Sequence, residues 1–130
     1  MQAELIKILA IGSGGFIGAT SRYLFSNYVQ SHFEHSDFPY GTFVVNVLGC
    51  LLIGLLAGFT QNKEWLSTEI RLFLFIGLLG GFTTFSTFAN DSLLLFKDGA
   101  LWLGLWYTLG QVTIGIISVW IGYYITRWFV

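Results

Sequence analysis

The sequence predicts an all-α membrane protein with four transmembrane helices in a single domain spanning residues 1–130. Three observations carry that prediction. Hydrophobic residues make up 55% of the chain and charged residues only 10%, whereas a soluble domain carries about 25% charged residues. Mean hydropathy is +0.71, so the chain cannot present a solvated surface on all sides. The few charges also fall between long apolar runs. Arg22 is the only charge in residues 8–33, Asp91 the only one in residues 72–96, and residues 41–60 and 100–126 have none. Each run is long enough for a helix of about 20 residues to cross a bilayer.

The first span carries Ser13, Gly14, Gly15 and Gly18, with Gly14 and Gly18 four apart. Such small-residue faces let helix backbones approach closely. The amino end has one acid and one base, Glu4 and Lys7, which is not the basic region of a signal peptide. Residues 32–39 form a polar connection ending in the only proline, Pro39, a usual residue at a helix start. Its two histidines, His32 and His35, have no third ligand nearby and read as solvated. The second span contains Asn46, with Gly54 and Gly58 four apart. Residues 61–71 are the next connection, and Ser67-Thr-Glu-Ile70 reads as a helix start. The third span runs to about Phe96. Lys97-Asp98-Gly99 then makes a tight turn into the fourth, whose Trp102, Trp106, Trp120, Tyr123, Tyr124 and Trp128 gather toward its ends as an interfacial belt does.

Four spans put both termini on one side. Lys7, Lys63, Arg71 and Arg127 lie on that side, against Lys97 and Arg22 on the other. This bias is weak for the positive-inside rule. It allows insertion both ways up, with opposite copies pairing as an antiparallel dimer, and equally a single orientation with cytoplasmic termini.

The third span holds the least ordinary stretch. Residues 81–88 carry three phenylalanines and the hydroxyls of Thr83, Thr84, Ser86 and Thr87, directly after Gly80. A Gly-Gly pair weakens a helix, and a weakened helix is tolerated in a bilayer only where protein or a cavity satisfies its backbone. The expectation is a third helix broken near its middle, at Gly80-Gly81, lining a passage. Phe85 and Phe88 share one face, and Thr84 and Thr87 an adjacent one. Aromatic edges are positive relative to their faces, and hydroxyls donate, so the wall suits an anion that binds and leaves.

Arg22 either snorkels at a helix end or concentrates anions at a pore mouth. Asn46 reads as interhelical glue or as a donor to an anion. Asp91 reads as a structural or pairing group. In the fourth span Tyr107, Gln111 and Ser118 fall on one side, which should face protein or a pore. Cys50 reads as a small buried residue. No basic block marks a nucleic-acid partner, and no nucleotide loop, nucleophile elbow or redox pair marks an enzyme.

Three motifs then carry a family resemblance: Gly14-Gly-Phe-Ile-Gly-Ala-Thr-Ser-Arg-Tyr23, Gly41-Thr-Phe-Val-Val-Asn-Val-Leu-Gly49 and Gly80-Gly-Phe-Thr-Thr-Phe-Ser-Thr-Phe88. In order and spacing they resemble the signatures of the Fluc (CrcB) fluoride channels, across the whole chain. The resemblance implies a multi-pass protein of the inner (plasma) membrane. It implies an antiparallel, dual-topology homodimer with two fluoride pores and one structural sodium ion at its centre. It also implies Phe85 and Phe88 as pore aromatics, with Ser86 and Thr87 as the hydroxyls beside them. Asn46 is implied as the pore asparagine, Arg22 as the vestibule arginine, and the carbonyls of Gly80 and Thr83 as sodium ligands. Asp91 stands where many relatives have glutamate. Gln111 and Thr113 lie in the region of the pore's polar track. The implied function is passive fluoride efflux from the cytoplasm. The rival is a small proton-coupled multidrug exporter, also of four helices, which needs a carboxylate deep in the membrane.

Overall fold

A computed structural model of the chain describes residues 1–61 and 66–129, with no strand among them. Lys63 of the charge comparison lies outside the described residues. Helix α1 covers Gln2–Ser31 and α2 covers Tyr40–Thr60. Helix α3 occupies residues 68–82, α4 covers Phe85–Lys97, and α5 covers Leu101–Phe129. Among the described residues four helical stretches are long and apolar enough to cross a membrane: Gln2–Ser31, Tyr40–Thr60, Thr68–Lys97 and Leu101–Trp128. The 21 residues of α2 span about 32 Å at 1.5 Å per residue, which matches a hydrocarbon core of about 30 Å.

The local signals account for most boundaries. Ser67 caps α3, its hydroxyl accepting from the Ile70 amide at 3.3 Å. Gly99, at φ 77°, turns the chain between α4 and α5, a conformation that costs glycine little. His32 and His35 are exposed in the first connection. Within α3, Leu72–Leu79 is wound as a π-helix, the wider coil often found at functional sites.

Two helix pairs build the body of the molecule. Helix α1 lies against α3 through glycines. A Cβ on Gly18 would fall 2.1 Å from the Leu78 carbonyl oxygen, and one on Gly14 would fall 2.5 Å from that of Phe73. Helix α2 lies against α5 in the same manner, with Gly54 against Val119 and Gly122 against Leu51. Small residues therefore set both contacts, as close packing between membrane helices requires. The buried cluster Phe88, Leu95 and Tyr107 joins α4 to α5, with Phe38 and Phe43 packed on it. Large apolar side chains cover the outside, including Trp102, Trp106 and Trp120. Such a surface is at home in lipid rather than water.

Candidate functional site

Gly80 and Gly81 are both helical, Gly80 at φ −64°, ψ −35°. The residues that leave helical geometry are Thr83 (φ −89°, ψ 160°) and Thr84 (φ −151°, ψ 119°). Gly81 serves a different purpose: a Cβ there would meet the Gly15 carbonyl oxygen at 2.8 Å, so its smallness lets α1 approach.

Two extended residues interrupt the i→i−4 ladder: the Thr83 amide still reaches the Leu79 carbonyl, but the Thr84 amide and carbonyl need other partners. Asn46 on α2 supplies both for Thr84. Its Oδ1 accepts from the Thr84 amide at 2.8 Å, and its Nδ2 donates to the Thr84 carbonyl at 3.0 Å. Arg22 on α1 donates through Nε to the Gly81 carbonyl at 3.1 Å. The Thr83 amide and hydroxyl both donate to the Leu79 carbonyl at 3.0 Å. Thr84 then caps α4. Its hydroxyl accepts from the Thr87 amide at 3.2 Å and donates to the Thr87 hydroxyl at 3.0 Å, with Ser86 Oγ 3.4 Å away. A Cβ on Gly49 would fall 2.1 Å from the Thr83 methyl, so α2 leaves room for that methyl.

A cleft of about 410 Å³ opens beside this segment, lined among others by Asn46, Thr83, Thr84, Phe85, Phe88 and Gln111. Phe85 is 79% exposed and Phe88 only 6%. Their rings meet edge to face, centroids 5.6 Å apart. Phe88 leans in turn on Tyr107, 5.5 Å away, and Phe38 from the first connection packs on Tyr107 at 88°. The Tyr107 hydroxyl donates to Asp91 Oδ2 at 3.2 Å. A second cleft of about 100 Å³ lies toward α1, lined by Arg22, Ser26, Thr42 and Thr87. Thr84 lines both clefts.

Residues 9–123 match the family described as CrcB-like protein, Camphor Resistance (CrcB). The chain belongs to the CrcB family. It is 46% identical over 123 residues to a fluoride-specific ion channel FluC of Chloroflexus aurantiacus, covering 95% of this chain and 97% of that protein. It is 42% identical over 125 residues to one from Desulfotalea psychrophila, covering 96% and 95%. A third, from Methylobacillus flagellatus, is 34% identical over 95% of this chain and 96% of its own length.

In this CrcB chain the structure gathers most of the residues that the sequence singles out. Asn46, Gly80, Thr83, Phe85 and Phe88 line the larger cleft; Arg22 and Thr87 line the smaller. Ser86 is exposed on α4 and reaches the group through Thr84. Tyr107, Gln111 and Ser118 are all buried on one side of α5, whereas Thr113 is exposed. Gln111 Oε1 is buried without a hydrogen-bond partner among the described residues. No group of three or more His, Cys, Asp or Glu side chains there could hold a metal. The hard oxygen donors on offer are main-chain carbonyls at the end of α3, where those of Leu79 and Gly81 already accept from Thr83 and Arg22. The carbonyls of Gly80 and Thr83 are chemically suited to an alkali cation.

Three roles are not plainly legible in the sequence. Thr84, rather than the Gly-Gly pair, is the turning point, and the threonine three residues before Thr87 is the cap spacing that could have found it. Tyr107 and Phe38 brace Phe88. Gln30 clamps the first connection, its Oε1 accepting from the Gly41 amide at 3.0 Å.

Proposed function

We propose that the protein is a passive, fluoride-selective channel of the inner membrane, and that it works as an antiparallel, dual-topology homodimer. The observation that carries the reading is the interruption at Thr83–Thr84. It brings Thr83, Thr84 and the Phe85–Phe88 edge pair to one cleft wall, with its backbone held by Asn46 and with Thr84 linked to Thr87 in the smaller cleft behind. A small, strongly hydrated anion gains donors from hydroxyls and from the positive ring edges of Phe85 and Phe88. Neither binds it so tightly that it cannot leave. Arg22 sits behind the same segment and biases it toward anions. The named function of the relatives supplies the ion.

In this reading the third membrane crossing is a helix broken for function, and its exposed Phe85 is covered by a second copy. A sodium ion at the centre of the dimer is held by the carbonyls of Gly80 and Thr83, two from each copy; it supplies positive charge and ties the copies together. Hydrogen fluoride enters a cell as the neutral acid and ionises in a less acidic cytoplasm. A negative-inside potential then drives fluoride out through the pore by about 2.3 kcal/mol per charge per 100 mV. No enzyme activity is involved. Exporter chemistry needs a carboxylate deep in the membrane, whereas Asp91 shares a cleft with Asp37 and Asp98 of the connections.

The test is fluoride flux from proteoliposomes carrying Phe85→Ile or Phe88→Ile. Both substitutions remove a ring edge while keeping apolar bulk, so flux falls to near background while the protein still elutes as wild type. Undiminished flux in both variants would remove the aromatic wall from the pathway.

A further inference from the structure

Helix α5 also presents a shallow apolar face, formed by Ile116, Ile117, Trp120, Ile121 and Tyr124. These positions recur at helical spacing and make one face, which borders the main cleft at Ile116 and runs toward the carboxyl end. All five side chains are exposed and none is charged. At its far end stand Trp120 and Tyr124, edge to face with centroids 6.4 Å apart. Arg127 follows, exposed, with its guanidinium carbon 5.9 Å from the Tyr123 ring centroid. Among the described residues no carboxylate pairs with it. From Ile116 to Arg127 the helix rises about 16 Å, close to the hydrocarbon of one leaflet, about half of 30 Å.

We propose that this face carries one acyl chain of an anionic phospholipid whose phosphate pairs with Arg127. The face is apolar apart from the Trp120 N–H and the Tyr124 hydroxyl. The aromatic pair marks the level at which a lipid's ester region meets water. Arg127, which follows the face, favours a headgroup of net negative charge, whereas in a zwitterionic lipid the headgroup's own cation offsets the phosphate. A second copy of the chain could cover the same face, and the test separates the two occupants. The inference does not depend on which ion the protein conducts.

The experiment uses a variant that keeps Trp120 as its only tryptophan, in vesicles of phosphatidylcholine with either brominated phosphatidylglycerol or brominated phosphatidylcholine. Brominated chains should quench Trp120, with phosphatidylglycerol associating about fivefold more strongly. Arg127→Gln should bring the two lipids to parity without removing the quenching. Unquenched Trp120 would mean that protein covers the face. Equal association of both lipids with the Arg127 protein would also overturn the proposal. Should the single-tryptophan variant fail to fold, the full chain in detergent serves instead. Added phosphatidylglycerol should then raise its thermal midpoint where phosphatidylcholine does not, and Arg127→Gln should erase the difference. No shift in the wild-type chain would count against the proposal.

Discussion

Asn46 commits both ends of its amide to one residue, Thr84. A side-chain amide copies the donor–acceptor pair of a peptide group, so it can replace the helical partners that an extended residue forgoes. Replacing it with leucine leaves a partly buried N–H and C=O without their partner, which costs about 1 kcal/mol, the low end of the penalty for buried groups. Asn46→Leu should therefore lower the thermal midpoint in detergent and reduce fluoride flux together; full flux at a lowered midpoint would separate the staple from conduction. The sequence marks Asn46 as an unusual amide in an apolar run, but it offers an anion or a neighbouring helix with equal force. Its partner lies 38 residues away, so only the docking of α2 against the interruption shows which backbone the amide holds. Asp91 is similar. Its carboxylate is visible in the sequence, while the Tyr107 hydroxyl it accepts from comes from the next helix.

At the scale of elements, the four crossings were legible because a bilayer imposes a length and a composition on each. The close-packed face of α1 was legible too, since Gly14 and Gly18 stand one turn apart. Gly18→Leu should be severe: its Cβ alone would fall 2.1 Å from the Leu78 carbonyl oxygen, and that atom is backbone that cannot swing aside. The variant should lose the monodisperse peak on size-exclusion chromatography, while Gly12→Leu, with nothing within 4 Å of its Cβ, should keep it. Gly81 misleads for the same reason that Gly18 informs. In sequence it reads as a weak point of its own helix; in the fold it is a contact with Gly15. The extended residues lie at Thr83–Thr84 because there the backbone finds Asn46 and a threonine cap, neither of which glycine could supply.

At the scale of the whole molecule, a single chain leaves Phe85 exposed at the edge of the cleft and Gln111 Oε1 buried without a partner among the described residues. In the proposed dimer the second copy covers the former and closes the cleft over the latter. The proposed sodium ion makes that pairing depend on the cation present. Exchanging sodium for a large organic cation should loosen the dimer in detergent, read as a shift toward the monomer in a cross-linking or single-molecule subunit-capture assay. An unchanged dimer would remove sodium from the account. A Cβ at Gly80 would stand 3.6 Å from the Phe75 carbonyl oxygen, an ordinary contact, so the region around the proposed ligands is not crowded by its own chain. Neither pairing nor orientation was legible in the charge pattern, because four basic residues against two leave both insertions open.

The most direct measurement is anion efflux from proteoliposomes of the wild-type protein, followed with a fluoride electrode and, in parallel, a chloride electrode. With only a potassium ionophore to balance charge and no proton gradient, fluoride should leave rapidly, chloride should stay near the protein-free control, and an imposed proton gradient should add nothing. Equal efflux of the two anions, or fluoride efflux only under a proton gradient, would contradict a passive fluoride-selective pore.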